Sequence, residues 1–176
     1  EMRVAMYAHA ANGGIKIDKT AHTGVEGLYA CGEATGGMHG ADRIGGLSSA
    51  NGIVFGRIAG ASAALTAQKE PEAALKADIT LPQYGIATTD AERLTHSLRH
   101  TMSTFCMINR TETGLSEALH ELEGLKTEAT TLSTQKAQDS EVAALARLQS
   151  QIQLAQEMVK AMRKRTESLG SHYRAD

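Results

Sequence analysis

The sequence predicts an α+β chain: a partial α/β segment of short strands and one glycine-rich helix, followed by an antiparallel three-helix bundle. Three observations carry that expectation. Thirteen of the seventeen glycines lie between Gly13 and Gly60. Beyond them glycine nearly disappears, and apolar residues recur every three to four positions. Aromatic residues make up only 3% of the chain and tryptophan is absent, so the core must rest on aliphatic packing, which favours helices over a large β-sandwich.

In the first part, residues 3–7 and 15–17 read as short strands. Residues 27–32 form an apolar run bounded by glycines, which suits a buried strand. A glycine-rich loop then leads into a helix over residues 48–67, with Gly52, Gly56 and Gly60 at i, i+4 and i+8. Each glycine costs about 1 kcal/mol against alanine inside a helix, so this bare face is expected to be packed closely by something. Residues 68–88 hold both prolines, Pro71 and Pro82, and read as a connector between residues 1–67 and a helical domain over 89–176.

Three helices are readable in that domain. Thr89 with Glu92 fits a capping box, and Leu94, Leu98, Met102 and Phe105 follow at helical spacing. Leu115, Leu119, Leu122 and Leu125 make a second stripe. The polar stretch 127–138 reads as a turn or a frayed helix end. Val142, Leu145, Leu148, Ile152, Ala155, Val159, Met162 and Leu169 form the third stripe, on a long helix starting at Asp139 or Ser140. Short connections predict antiparallel neighbours. These stripes are core, and no chemistry attaches to them.

Bulk properties exclude several functions. A net charge of −2 leaves no electrostatic footprint for nucleic acid. No run of 18 apolar residues exists to insert into a membrane. Cys31 and Cys106 are too few for a disulfide framework and read as buried thiols, compatible with a cytoplasmic, reducing compartment. The first residues, Glu1-Met2-Arg3-Val4-Ala5-Met6, read like the middle of a strand rather than a signal peptide, which points to a piece of something longer.

The informative stretch is the loop from Gly32 to Gly46. It sets several glycines, Glu33, Asp42, His39 and Arg43 between a strand and a helix start. Ligands of open α/β sheets bind beyond the carboxyl ends of strands. Glycines let backbone approach a flat cofactor, and a helix N-terminus offers free N–H groups to anionic oxygen. The pattern reads as a cofactor cradle, although a glycine-rich loop alone also fits a plain turn.

Five ordered blocks narrow that reading. They are His9-Ala10-Ala11-Asn12-Gly13-Gly14-Ile15; Gly27-Leu28-Tyr29-Ala30-Cys31-Gly32-Glu33; His39-Gly40-Ala41-Asp42-Arg43-Ile44-Gly45-Gly46 with Ile53-Val54-Phe55-Gly56-Arg57; Arg110-Thr111-Glu112; and Glu167-Ser168-Leu169-Gly170-Ser171-His172-Tyr173-Arg174-Ala175-Asp176. Together they resemble the C-terminal portion of the succinate dehydrogenase, fumarate reductase and L-aspartate oxidase flavoprotein family. The resemblance implies an FAD-dependent oxidoreductase in which residues 1–67 are the last segment of the FAD-binding domain. Glu33 would contact the FAD ribityl region. Leu47, Ser48 and Ser49, at the helix start, would face the flavin pyrimidine edge, where the positive end of the helix favours negative charge. His9 and Arg43 would hold a carboxylate of a dicarboxylate substrate near flavin N5, Arg through its planar fork and His as a further donor. His39 would shape the loop, and His172, Tyr173 and Arg174 would tie the helical domain to the FAD domain. His22, His96, His100 and His120 have no implied role.

The sequence departs from the family at Asp42, where Asn is usual, at Leu47-Ser48, where Asn-Ser is usual, and at Ala10 and Ala11. Succinate or fumarate is the default substrate, with aspartate or another carboxylate as alternatives. The GxGxxG fingerprint and the capping-domain segment with its proton-donating arginine are absent, as are cysteine clusters for iron–sulfur centres. Those missing amino-terminal segments make the isolated chain an expected inactive fragment. A second reading is a helical module that docks an electron-transfer partner such as an iron–sulfur subunit. A third is an autonomous helical domain carrying a vestigial arm.

Overall fold

The structure, a computed structural model, describes residue 10, residues 13–69 and residues 83–176. The strand expected over 3–7, His9 and both prolines lie outside the described residues. The chain divides into two compact units, Glu1–Ala77 and Asp78–Asp176. The described residues are mostly helical, with four α-helices and two small two-stranded sheets.

In the first unit, β1 (Ile15–Lys16) pairs in parallel with β2 (Thr35–Gly36), Ile15 opposite Thr35 and Lys16 opposite Gly36. The approach just before this pair admits no side chain. A Cβ on Gly14 would sit 2.3 Å from Ala34 O, and one on Gly36 would sit 2.7 Å from Gly14 N. Between the strands the chain makes a tight loop nucleated by Asp18. Its Oδ1 accepts from Thr20 N (2.8 Å), Thr20 Oγ1 (2.7 Å) and His22 N (3.0 Å), and these bonds, that from the Thr20 hydroxyl foremost, hold the carboxyl below its ordinary range. His22 packs edge-on against Tyr29, and its Nδ1 accepts from Gly24 N, so this histidine is structural.

The run 27–32 is not the buried strand expected. Tyr29 makes only an isolated bridge to His22, Leu28 is 49% exposed and Cys31 is exposed. The helix does form, as α1 (Leu47–Lys69). Its glycine face is mostly open. Only Gly56 has a neighbour within 4 Å of a hypothetical Cβ, the Cys31 sulfur at 4.0 Å, while Gly52 and Gly60 meet nothing. Tyr29 Oη and Thr66 Oγ1, 2.6 Å apart, tie the loop to the far end of α1.

In the second unit, β3 (Tyr84–Gly85) pairs antiparallel with β4 (Thr134–Gln135). Helices α2 (Thr88–Phe105), α3 (Glu112–Leu132) and α4 (Asp139–Lys164) enclose one aliphatic core. Leu94, Leu115, Leu122, Leu148, Ile152 and Val159 are each at most 1% exposed. Each such side chain contributes roughly 1.5–3 kcal/mol of transfer free energy. Ile86, fully buried, donates its N–H to Glu141 O at 3.2 Å and so joins β3 to the start of α4.

The helix ends correct the sequence reading in three places. α2 starts at Thr88 without a side-chain cap, so Thr89 and Glu92 form no capping box. α3 runs on through residues 127–132, because Ala129 faces the core, and the remainder of that stretch supplies β4. The capping box in this unit belongs to α4, where Gln138 and Glu141 exchange side chain-to-backbone bonds. Leu169 lies beyond the end of α4 and is 49% exposed.

The last residues fold back on α3 and α4. Arg110 Nη1 donates to His172 Nδ1 at 3.0 Å, and His172 Nε2 donates to Arg165 O at 2.9 Å, which fixes the Nε2–H tautomer. Arg174, 8% exposed, donates to Asp176 Oδ1 (2.9 Å) and reaches Glu112 Oε2 (3.4 Å) and the carbonyls of Met162 and Arg163. Arg163 also pairs with Glu112, its Nε 2.7 Å from Oε1. The Arg163 hydrogen bonds hold the Glu112 carboxyl below its ordinary range, and the Arg174 fork lowers Asp176 to about 2. These hydrogen bonds of His172 and Arg174 all lie within the helical unit. Cys106 is buried, which pushes its thiol up to about 11, whereas Cys31 is exposed, against expectation.

Candidate functional site

The loop after β2 and the first turns of α1 enclose a cleft of about 170 Å³. Its lining includes Glu33, Gly37, His39, Arg43, Ser48 and Asn51. The elements that bring these together follow from the sequence. A single 3₁₀ turn, Gly32–Ala34, presents Glu33 on the way into β2. Thr35, 4% exposed, closes that turn by donating from Oγ1 to Gly32 O at 2.6 Å. The chain then crosses Gly36 and Gly37, reverses through Gly40, and enters α1 at Leu47.

Of the residues singled out in the sequence, Glu33, Arg43 and Ser48 share this cleft. Leu47 and Ser49 flank Ser48 on the first turn of α1 and are exposed. Arg43 is partly exposed, and its guanidinium forms no hydrogen bond or ion pair among the described residues. Its neighbour Asp42 accepts from Arg43 N at 2.8 Å. His9 lies outside the described residues, so its relation to Arg43 stays an expectation.

Asn51 was not anticipated. It is 9% exposed, on the second turn of α1, and Nδ2 donates to Gly32 O (3.5 Å) and His39 Nε2 (3.4 Å). Its Oδ1 is buried, with no partner among the described residues. A polar residue amid the apolar stretch Ala50 to Phe55 was the available signal. The same contact holds His39 against α1, in keeping with a loop-shaping role.

The donor set suits a flavin cofactor. The cleft combines bare glycine backbone, the N-terminus of a 23-residue helix, one carboxylate, one guanidinium and an orphaned amide oxygen. Its volume is below the roughly 300–1,000 Å³ of a complete small-molecule pocket. These residues thus form one wall of a site rather than a whole one.

A second, wide groove of about 660 Å³ lies between α2 and α3, lined by His96, His100, Thr101, Glu121, Leu125 and Glu128. Thr101 Oγ1 contacts Glu121 Oε2 at 2.5 Å, and Arg93 pairs with Glu128 at 2.8 Å. No group of three or more metal-ligating side chains occurs among the described residues, and no helix there is long and apolar enough to cross a membrane.

Comparison with known proteins gives concordant matches. Residues 95–176 match the family described as fumarate reductase flavoprotein C-term, and residues 1–49 match the FAD binding domain family. An uncharacterized FAD-dependent oxidoreductase of Methanocaldococcus jannaschii is 32% identical over 99% of this chain and 33% of its own length. The L-aspartate oxidase of Acinetobacter baylyi is 31% identical over 96% of this chain and 31% of its own. The structure of Mycobacterium smegmatis Sdh1 in complex with UQ1 superposes with a TM-score of 0.79 at 30% identity, covering 96% of this chain and 30% of that one. The chain thus spans about a third of the length of the relatives it matches.

Proposed function

We propose that this chain, which belongs to the succinate dehydrogenase, fumarate reductase and L-aspartate oxidase flavoprotein family, is the C-terminal part of an FAD-dependent oxidoreductase acting on a dicarboxylate of the succinate or fumarate type. The observation that carries the reading is the cleft itself: Glu33 and Ser48, read as cofactor-binding, and Arg43, read as substrate-binding, line one cavity. When bound, FAD supplies the hydride chemistry at flavin N5.

The chain's own residues bind, orient and exclude water. Glu33 accepts from ribityl hydroxyls. The first turn of α1, Leu47, Ser48 and Ser49, directs N–H groups at the anionic edge of the cofactor. Arg43 grips one substrate carboxylate through two parallel N–H donors, and His9 adds a third. The helical bundle of α2, α3 and α4 docks against partner segments, including an iron–sulfur subunit on the cytoplasmic face of a membrane. An L-aspartate oxidase activity is the second reading, favoured by the 31% identity to that enzyme over nearly the whole chain. On either reading the 176 residues alone lack catalytic activity, because the amino-terminal cofactor and capping segments complete the site.

The test is made in the full-length protein. Arg43→Ala lowers kcat/KM for the dicarboxylate at least about tenfold, the factor that 1.4 kcal/mol represents, and leaves flavin content near wild type. Arg43→Lys does not rescue, because it keeps the charge but loses the fork. Normal turnover in both variants would remove Arg43 from the site. Loss of flavin instead would move it to the cofactor shell.

A further inference from the structure

The cleft contains one polar atom that the assignments above leave unused. Asn51 Oδ1 is buried and has no partner among the described residues, in a residue only 9% exposed. The carbonyl of Gly32 favours this orientation of the amide. Nδ2 faces Gly32 O, and turning the amide over would set Oδ1 against that carbonyl, one acceptor against another. The two bonds that Nδ2 makes are long, 3.5 and 3.4 Å, and give little reason for a buried amide here. Asparagine is also a poor residue for a helix interior, and a buried acceptor left unmade costs more than an apolar side chain of the same shape. The position is costly unless something else supplies a donor.

We propose that Asn51 is a cofactor-binding residue whose Oδ1 accepts a hydrogen bond from a ribityl hydroxyl or the imide N–H of FAD. This rests on the flavoprotein reading above. The partner's chemistry rests on what each bound molecule can donate. An ionised dicarboxylate carries acceptors only and cannot satisfy Oδ1, whereas it suits Arg43. FAD carries both hydroxyl and imide donors. The ammonium of an amino dicarboxylate is the other donor chemistry available. Asn51 bonds Gly32, the residue before Glu33, and so sits with the residues read as cofactor-binding.

The sign of two effects tests this. In the full-length protein stripped of FAD, Asn51→Leu removes an unsatisfied acceptor, so the apoprotein's melting temperature stays level or rises. Its affinity for added FAD, read by quenching of flavin fluorescence, falls about tenfold, the factor expected for one buried hydrogen bond. Asn51→Asp, which keeps an oxygen there, binds FAD more tightly than Asn51→Leu. Unchanged FAD affinity in Asn51→Leu, a lowered apoprotein melting temperature accompanying its loss of FAD, or the reverse order of the two variants would each overturn the assignment. Intact FAD binding with a raised KM for an amino dicarboxylate would transfer Oδ1 to the substrate and overturn it likewise. Failure of the wild type to take up FAD would instead sink the flavoprotein reading itself.

Discussion

Helices α1 and α4 are of similar length, 23 and 26 residues, yet they use their apolar residues in opposite ways. α4 buries Leu145, Leu148, Ile152, Ala155 and Val159 along one stripe and turns its charges outward. α1 buries only Asn51 and Ala59, while Ile53 is 74% exposed, Leu65 58% and Val54 53%. A helix with one apolar stripe is satisfied by one packed face; a helix apolar on several sides belongs in the interior of a larger structure. The helical unit thus encloses its apolar residues in its own core, whereas the glycine-rich unit carries the cleft beside a helix that leaves several apolar side chains exposed.

Core truncations should separate the two units most sharply. Leu122→Ala or Leu148→Ala should cost about 2–5 kcal/mol in chemical denaturation followed by helical circular dichroism. Ile53→Ala or Leu65→Ala in the same chain should stay within about 0.5 kcal/mol. Comparable losses from both sets would erase the contrast. Glycines give the next largest effect. A Cβ on Gly85 would fall 2.4 Å from Ala137 Cβ and 2.7 Å from Glu141 C, so Gly85→Ala should destabilise by roughly 1–3 kcal/mol, as overpacking does. Gly60→Ala meets open space in a helix and should be neutral or stabilising by up to about 1 kcal/mol.

Smaller effects sharpen the same comparison. Glu112 and Asp176 have folded-state carboxyls depressed by Arg163 and Arg174, Asp176 to about 2. An unfolded chain binds those protons first as pH falls. The helical unit should therefore keep this contribution above the ordinary carboxylate range and lose it as pH drops toward 2, and Asp176→Asn should flatten that part of the profile. Last, the two cysteines should report their units without changing stability. A thiol reagent at pH 8 should label exposed Cys31 at once, and buried Cys106, with its thiol up near 11, only as the helices unfold. Equal labelling rates would contradict the burial of Cys106.

Much of this was legible in the sequence, and the failures share a cause. The stripes through Leu94, Leu115 and Leu145 were readable because a 3.6-residue period survives any detail of packing. Caps were not, since Thr89 and Glu92 had the right spacing two residues too late, the N-cap being Ala87. Residues 127–132 looked frayed because Thr and Glu crowd there, but Ala129 is buried in the core and Leu132 packs against it. Glu33, Arg43 and Ser48, which line the cleft, had been singled out through their motif, which a single chain displays in order. Asn51 belongs to no motif, and its one signal in the sequence, a polar residue amid apolar neighbours, gains meaning only when the hydrogen bonds of a buried amide are counted.

The return of the C-terminal residues to Arg110 has a kinetic consequence. The Arg110–His172 contact joins residues 62 apart in sequence and depends on the packing of α3 against α4 to bring them together. Contacts of that kind are absent from an early transition state. The tail should then act as a latch on unfolding: Arg174→Met or His172→Ala should speed unfolding in a denaturant jump while leaving the refolding rate of the helical unit nearly unchanged. The last dozen residues would thus govern how long the domain stays folded more than how quickly it folds.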